Sequence, residues 1–192
     1  SCCAAAMVLP MTIFFDGISA LDCYRAMNLA GASVGAPKRY AREFAASVPD
    51  VASLGGARQS FPKLDSPRLL VSESSKRCRI RGVACRVLGS PLPNEAFVFL
   101  GGDAYACSPA FAFVRSAVEL DFAEQVLLGY EITGTYRLNS SSEQGFFSAP
   151  PLASCQALTA ITSQGNLLGA NKAENALRFV SPGSASPMET AL

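Results

Sequence analysis

Alternating arginines mark the part of this chain whose chemistry is easiest to interpret. Arg77, Arg79 and Arg81 stand two residues apart in the stretch KRCRIRGVACR, with Lys76 and Arg86 at its ends. On a β-strand this spacing places the three guanidinium groups on one face and the apolar residues between them on the other. A guanidinium donates two parallel hydrogen bonds to phosphate. The pattern therefore predicts a basic strand that could lie along a nucleic-acid backbone.

A second interpretation of the arginines stays open, and one recognition mode is disfavoured. Edge strands also carry charge simply to prevent pairing with other chains. The run lacks the aromatic side chains on which unpaired bases stack, so the pattern disfavours single-strand recognition.

A second basic cluster, Lys38, Arg39 and Arg42, falls just after Pro37. Because proline suits the first turn of a helix, we predict a short helix over 37–44. A helix-turn-helix protein places such a helix after a short turn for DNA recognition. An ordinary charged surface helix is the more common explanation of the same pattern.

The absence of histidine excludes whole classes of chemistry. The chain cannot form a Ser-His-Asp or Cys-His arrangement or a zinc site with histidine ligands. It also lacks the usual general base near neutral pH. Its glycine pairs lack the strand-to-helix setting and the Lys-Ser/Thr of a phosphate-binding loop. An enzyme that is complete within these residues is therefore the least supported interpretation.

The seven cysteines are irregularly spaced and form no C-x-x-C pair, which argues against a zinc ribbon or a thioredoxin-like motif. We interpret most of them as small buried apolar residues in a reducing cytoplasm, with a reactive thiol as the alternative. The apolar runs are far shorter than the roughly 20 residues of a transmembrane helix. These observations predict a cytoplasmic protein.

Charge is unevenly distributed along a chain that has enough apolar residues to fold. The 192 residues are 49% hydrophobic and 16% charged, which is sufficient for a sizeable core. The first 96 residues carry 12 Lys/Arg against 7 Asp/Glu, whereas the last 96 carry 4 against 8. This asymmetry hints at an anionic partner for the first half, although solvated faces that differ in sign explain it equally well.

Periodicity and capping signals predict helices on both sides of a small strand cluster, and hence an α+β fold. We expect a small mixed or antiparallel sheet flanked by helices, after a short helical N-terminal segment. Predicted helices cover 18–30, 37–44, 109–120, 121–132, 151–162 and 171–180. A strand is predicted over 68–73 and one or two more over 78–89, with a hairpin over 96–109 that turns at Gly101-Gly102-Asp103. Loops are predicted at 49–67 and 138–151.

The predicted organisation has four parts: an N-terminal helical segment (1–48), a loop or linker (49–67), an α+β domain (68–180) and a final segment (181–192). The final segment carries a helix start at Ser186-Pro187-Met188-Glu189. The serine can cap the first turn, the proline fits the first helical position, and the glutamate can close a capping box.

Several segments together resemble the AbiEi-type abortive-infection antitoxins. The stretch FDGISALDCYRAM (15–27) is similar to the opening of such proteins. Residues 68–121 resemble their core, in which a strand, a basic stretch and a second strand precede a proline that begins a helix. The stretches LGYEITGTYRL (128–138) and ALRFVSPGSASPMETAL (176–192) resemble a coriobacterial or actinobacterial branch. In that branch a small endonuclease-like domain of the very-short-patch-repair type follows the antitoxin-like domain.

The resemblance implies a role for the helix start at the end of the chain. In that branch an SP-x-E pattern opens the nuclease-like domain, and Glu189 matches a candidate catalytic carboxylate. The other catalytic residues, an Asp and a Glu-x-Lys pair, would lie beyond Leu192, as would most carboxylate ligands of Mg²⁺. We therefore expect the front part of a longer metal-dependent endonuclease-like protein, inactive by itself. Without the resemblance, Glu189 is simply a capping-box residue.

The expected function is that of a non-catalytic regulatory or binding domain of a phage-defence or toxin–antitoxin-type protein. The residues predicted to contact nucleic acid are Lys76, Arg77, Arg79, Arg81, Arg86, Lys38 and Arg39. The alternative is a protein-binding antitoxin module that neutralises a nucleotidyltransferase-like toxin without touching DNA. The expected partner is thus nucleic acid or a cognate toxin, with no membrane, small-molecule substrate or metal site indicated and no cofactor expected for this chain.

Overall fold

A computed structural model describes residues 12–61, 64 and 66–187. The described residues form seven α-helices and seven β-strands, numbered in chain order. The helices are α1 Gly17–Leu29, α2 Ala41–Ala46, α3 Val51–Ser60, α4 Pro109–Ser116, α5 Phe122–Thr133, α6 Cys155–Thr162 and α7 Ala170–Leu177. The strands are β1 Ile13–Phe15, β2 Arg68–Val71, β3 Ala84–Val87, β4 Phe97–Gly101, β5 Ala104–Cys107, β6 Tyr136–Leu138 and β7 Phe146–Ser148. None of these helices is long and apolar enough to cross a lipid bilayer.

The main sheet has five strands in the order β3-β2-β1-β5-β4. Strand β1 is parallel to β5 and antiparallel to β2, and β2 is parallel to β3. Strands β4 and β5 form an antiparallel hairpin. The sheet is therefore mixed, and together with the surrounding helices it confirms the predicted α+β class. Strands β6 and β7 form a separate two-stranded sheet.

Strand β1 lies at the centre of the sheet, and all of its residues are fully buried. Because side chains alternate along a strand, Phe14 and Phe15 point to opposite faces. Phe14 stacks on Tyr105 with 4.7 Å between ring centroids and meets Phe44 of α2 edge-on at 5.1 Å. Phe15 meets Phe61, just after α3, at 6.2 Å. A continuous apolar run of this kind suits a strand that is covered on both faces, and sequence analysis placed no strand there.

Several predicted elements are confirmed within a few residues. Helix α1 matches the prediction over 18–30, and α5 begins with the expected capping box. In that box the backbone N–H of Glu124 donates to Asp121, the backbone N–H of Asp121 donates to Glu124, and both distances are 2.8 Å. Strand β2 and the β4–β5 hairpin are also where the sequence placed them. Local caps and turns therefore decide these boundaries.

The loop predicted at 49–67 is wrong over most of its length, because Val51–Ser60 forms α3. Asp50 caps this helix by accepting a 2.8 Å hydrogen bond from the backbone N–H of Ser53. Leu54 and Ala57 are buried on its inner face. The cap and this burial offset the low helix propensity of the two glycines inside the helix.

The helix predicted over 37–44 is wrong at its start, since α2 begins only at Ala41. Lys38 instead pairs with Phe97 of β4 through two backbone hydrogen bonds of 2.7 and 2.9 Å. Tyr40 has a φ of +45°, a left-handed conformation that separates this extended stretch from the helix. Pairing with the sheet edge has therefore overridden the helix-start signal of the proline.

The loop predicted at 138–151 contains β7, which pairs with β6 through Leu138↔Phe146 and Tyr136↔Ser148. The two predicted C-terminal helices are confirmed as α6 and α7, although both are shorter than expected.

One buried apolar cluster extends from Ile13 to Ala173 and contains residues from before and after the expected linker. The division of the chain into four parts stays a prediction.

Candidate nucleic-acid interface

Arg77, Arg79 and Arg81 do not lie on a β-strand: of the one or two strands predicted over 78–89, only Ala84–Val87 forms, as β3. The chain leaves β2, makes a short 3₁₀ turn at Ser74–Lys76 and continues without regular structure until β3 begins at Ala84. Because β2 and β3 are parallel, the chain between them must cross back to the other end of the sheet. The arginines lie on that crossover, and 77–81 are referred to below as the arginine segment.

The expected alternation of the side chains is nevertheless present in the arginine segment. Arg77, Arg79 and Arg81 are exposed, whereas Cys78 and Ile80 are partly buried against the core. Burial of the two apolar side chains fixes the segment to the protein and directs the arginines into solvent. In the described part of the chain, no carboxylate forms an ion pair with any of these three arginines.

A contact between two cysteines attaches the arginine segment to the edge of the sheet. The sulfur atoms of Cys78 and Cys85 are 3.0 Å apart, and Cys85 lies in β3. Burial, followed by the contact with Cys78, raises the pKa of Cys85 to about 11. Both thiols are free in this structure.

Lys76 makes internal contacts that distinguish it from the arginines that follow. Its ammonium group donates to the backbone carbonyl of Ala45 in α2 and to Ser72 Oγ at 3.2 Å. It also lies 3.3 Å from the carboxylate of Glu73. These partners satisfy the donors of Lys76 and connect the crossover to α2.

Arg86 is also engaged inside the protein. It forms an ion pair with Glu119, which pairs at the same time with Arg68 of the neighbouring strand. Burial lowers the pKa of Arg86; of the nearby charges, Asp16 opposes this shift, whereas Arg68 and Arg115 add to it. The network fixes the β2–β3 edge to the end of α4. Arg86 therefore contributes more to this internal link than to a binding surface.

Lys38 and Arg39 lie elsewhere on the sheet. The backbone of Lys38 pairs with β4, which is the edge strand opposite β3. Five strands at the usual spacing put these two edges about 19 Å apart. Both side chains are exposed. The structure therefore does not bring them to the edge that carries the arginine segment.

Glu189, the candidate catalytic residue, lies outside the described residues, as does Met188 of the same predicted helix start. Within the described residues, no group of three or more Cys, Asp or Glu side chains is placed to hold a metal ion. Asp16 and Glu119, two acidic residues near the sheet, are both bound by arginines instead. The magnesium site implied by the resemblance therefore stays a prediction.

A buried ion pair that the sequence analysis missed lies at the end of β1. Asp16 accepts two hydrogen bonds from Arg115 of α4, at 2.8 and 2.7 Å, and both residues are at least 97% buried. Burial lowers the pKa of Arg115 and the bonds to Asp16 raise it, with a net upward shift. The only feature of the sequence that could have indicated this ion pair is an aspartate directly after an apolar run.

A second buried charge cluster joins α1 to α5 and β6. Glu131 accepts bonds of 2.9 and 2.6 Å from Arg25 and one of 3.1 Å from the backbone N–H of Leu138. Arg137 is completely buried and donates to the backbone carbonyl of Glu131 at 2.8 Å. Burial lowers its pKa to about 10. The internal arginines thus have structural partners, in contrast to those of the arginine segment.

No protein-family model, curated protein or solved structure matches this chain. The resemblance to AbiEi-type antitoxins therefore gains no support from relatives, and what it implies about function stays a prediction.

Proposed function

We propose that this chain is a non-catalytic binding module of a phage-defence or toxin–antitoxin-type protein, and that its arginine segment contacts a nucleic-acid backbone. The observation that carries the proposal is a set of three exposed guanidinium groups, at 77, 79 and 81. In the part of the chain that the structure describes, none of them is paired with a carboxylate.

Comparison with the arginines that are engaged inside the protein supports this choice of surface. Among the described residues Arg39, Arg42 and Arg58 are also exposed and without an ion pair, but only the arginine segment carries three such arginines within five residues. Arg25, Arg68, Arg86 and Arg115 all form ion pairs with carboxylates, and Arg137 is buried among carbonyl groups. These charges are already compensated inside the protein. An arginine that has no carboxylate partner keeps its full attraction for phosphate and can release condensed counterions when it binds a nucleic acid.

The anchoring of the segment supports the same proposal. Cys78 and Ile80 pack against the core, so the backbone that carries the arginines is held even though it is not a strand. A held backbone loses less conformational entropy on binding than a free loop. The segment carries no aromatic residue, which favours a duplex backbone over stacked single-stranded bases.

The module's place in a longer protein is also a proposal. A cytoplasmic endonuclease-like protein would need a domain that brings it to nucleic acid, and the arginine segment suits that role. The metal-dependent chemistry, including Glu189 and Mg²⁺, would then belong to a domain that follows.

Equilibrium binding to a short DNA duplex tests the proposal. We expect the wild type to bind a fluorescein-labelled 20-base-pair duplex, measured by anisotropy at low salt. Arg79→Gln/Arg81→Gln should weaken binding roughly tenfold or more, because two phosphate contacts are lost. The control is Arg58→Gln/Arg178→Gln, which removes the same formal charge from exposed sites on α3 and after α7; Arg178 lies 3.8 Å from the carboxylate of Glu174, whereas Arg58 forms no ion pair with a described residue. Equal weakening by both variants would contradict the assigned surface.

An exposed apolar patch favours the alternative function, a protein-binding antitoxin module that neutralises a nucleotidyltransferase-like toxin. Phe122 and Phe179 meet edge-on at 5.4 Å and are 47% and 61% exposed. Val118 and Leu168 are also exposed, and Val118 lies beside Gly169. Contiguous exposed apolar residues mark protein interaction sites.

Co-purification with the product of the adjacent gene tests the alternative function, protein binding, separately from nucleic-acid binding. If that protein is a cognate toxin held by this patch, Phe122→Ser/Phe179→Ser should abolish the complex, and the complex should persist at high salt. The arginine variants should leave it intact. A complex that survives the loss of both phenylalanines would contradict the assignment of the patch.

A further inference from the structure

Two cysteines beside the proposed binding surface are placed for direct reaction with each other. Cys78 stands between Arg77 and Arg79, and Cys85 lies in β3, with 3.0 Å between the sulfur atoms. A disulfide bond is about 2.05 Å long, so the two sulfurs need to approach by only about 1 Å. Both residues are partly exposed, so a small oxidant can reach them.

We propose that Cys78 and Cys85 form a reversible disulfide that closes the loop carrying Arg79 and Arg81. The disulfide itself is argued from the contact between the thiols. Its effect on nucleic-acid binding rests on the function proposed above.

The reaction consumes one molecule of a peroxide oxidant, such as hydrogen peroxide. The sulfur of Cys78 attacks the peroxide O–O bond and becomes a sulfenic acid, which releases one water molecule. The sulfur of Cys85 then attacks that sulfur and displaces a second water molecule as the S–S bond forms. Two thiols and one peroxide thus give one disulfide and two molecules of water.

The environment of each thiol indicates the order of these steps. Burial, and then the contact with Cys78, raises the pKa of Cys85 to about 11, so Cys85 holds its proton near neutral pH. A thiolate is the attacking species in such chemistry. Cys78 lies on the irregular segment between two exposed arginines, whereas Cys85 lies within β3; this placement, together with the raised pKa of Cys85, assigns the first attack to Cys78 and the second to Cys85.

The other cysteines that the structure describes are less suited to this reaction. Cys23 and Cys107 are completely buried, and burial raises the pKa of each well above its usual value. Cys155 lies in α6, which packs against α4 and α7. A buried, protonated thiol reacts slowly with an oxidant.

Closure of the loop should affect the binding surface directly. Arg79 and Arg81 lie inside the ring that the disulfide forms, and the two sulfurs are already in contact in the reduced protein. Oxidation would therefore hold the arginines near the arrangement described here. Because preorganisation reduces the entropy lost on binding, we expect oxidation to tighten duplex binding about three- to tenfold.

Tryptic mapping of the full chain tests the disulfide independently of any ligand. Trypsin cleaves after each arginine of this stretch, which separates the peptide Cys78-Arg79 from the peptide 82–86 that contains Cys85. After treatment with stoichiometric hydrogen peroxide and alkylation of free thiols, we expect these two peptides to be linked, and dithiothreitol should release them. Cys155→Ser should keep the link and Cys78→Ser should remove it. Recovery of both peptides in alkylated form after oxidation would overturn the inference.

Duplex affinity of the reduced and oxidised wild type provides the second measurement, with Cys78→Ser treated identically as the control. Tighter binding by the oxidised wild type alone supports the regulatory effect. Equal affinity of the two forms, with the peptides linked, would overturn that effect. If neither form binds the duplex, the proposed function is wrong. The peptide map still shows, independently, whether the disulfide forms.

Discussion

At the scale of single residues, the buried pair Asp16–Arg115 joins the end of β1 to α4. Its two hydrogen bonds are short and direct, and water has almost no access to either side chain. Such a pair is weak evidence for net stability when compared with an apolar core. Removing one partner is different, because it leaves the other charge buried without compensation.

We predict that Arg115→Met lowers the free energy of unfolding by about 3–5 kcal/mol. Urea unfolding at neutral pH measures this loss. The double variant Asp16→Asn/Arg115→Met should recover part of it, since the unpaired buried carboxylate is then also removed. A loss below about 1 kcal/mol for Arg115→Met alone would show that the carboxylate is solvated in the folded protein.

At the scale of secondary structure, local sequence signals determine some elements and tertiary contacts determine others. The capping box at Asp121 and Glu124 is visible in the sequence and occurs in the structure. Strand β1 and helix α3 were missed. Strand β1 is a three-residue apolar run with no alternation that would indicate a strand. Helix α3 contains two adjacent glycines, which favour a loop in the sequence, although burial of Leu54 stabilises the helix.

The candidate site shows the same division. The alternation of the arginine segment predicted which side chains are exposed but not their conformation, because an anchored irregular segment can expose every second residue as well as a strand does. The sequence could not show that Lys76 and Arg86 are engaged internally. Lys76 has local partners in Ser72 and Glu73, but the contacts that hold the two side chains to other elements, with Ala45 and Glu119, are to residues more than 30 positions away in the chain.

We predict that Asp121→Ala costs about 1 kcal/mol in the free energy of unfolding, because the N-terminus of α5 loses its cap. Helix α5 should also show faster amide hydrogen exchange in its first turn. Glu143→Ala, at an exposed site in the β6–β7 turn, is the control and should change stability by less than about 0.5 kcal/mol. Equal effects of the two substitutions would contradict the role of the cap.

At the scale of the whole molecule, protonation of buried groups couples folding to pH. Burial raises the pKa of Cys23, Tyr24 and Cys107 well above their usual values of 9.0, 10.0 and 9.0. The folded protein therefore retains protons that the unfolded chain releases. These groups contribute stability that is fully present below about pH 9 and is lost as the pH rises further.

We predict that the free energy of unfolding falls as the pH is raised from 9 to 11, measured by urea unfolding at each pH. Cys23→Ala should flatten this decline, since one of the proton-retaining groups is gone. A decline of the same steepness in the variant would show that Cys23 does not take part in it.

The width of the sheet makes a further prediction about the binding surface. The cluster Lys38–Arg39 lies at the β4 edge, whereas the arginine segment connects the two strands at the other edge. We therefore expect Lys38→Gln/Arg39→Gln to weaken duplex binding less than Arg79→Gln/Arg81→Gln does, although both remove two charges. Fluorescence anisotropy at fixed salt compares them. If Lys38→Gln/Arg39→Gln weakened binding more, the interface would have to be assigned to the β4 edge instead.

The salt dependence of duplex binding tests the central claim most directly. The measurement is the slope of the logarithm of the association constant against the logarithm of salt concentration. For Arg77→Gln/Arg79→Gln/Arg81→Gln we predict a slope shallower than that of the wild type by about 2–3, because each lost phosphate contact removes about 0.9. Parallel lines for the two proteins would contradict the claim that these arginines contact the nucleic-acid backbone.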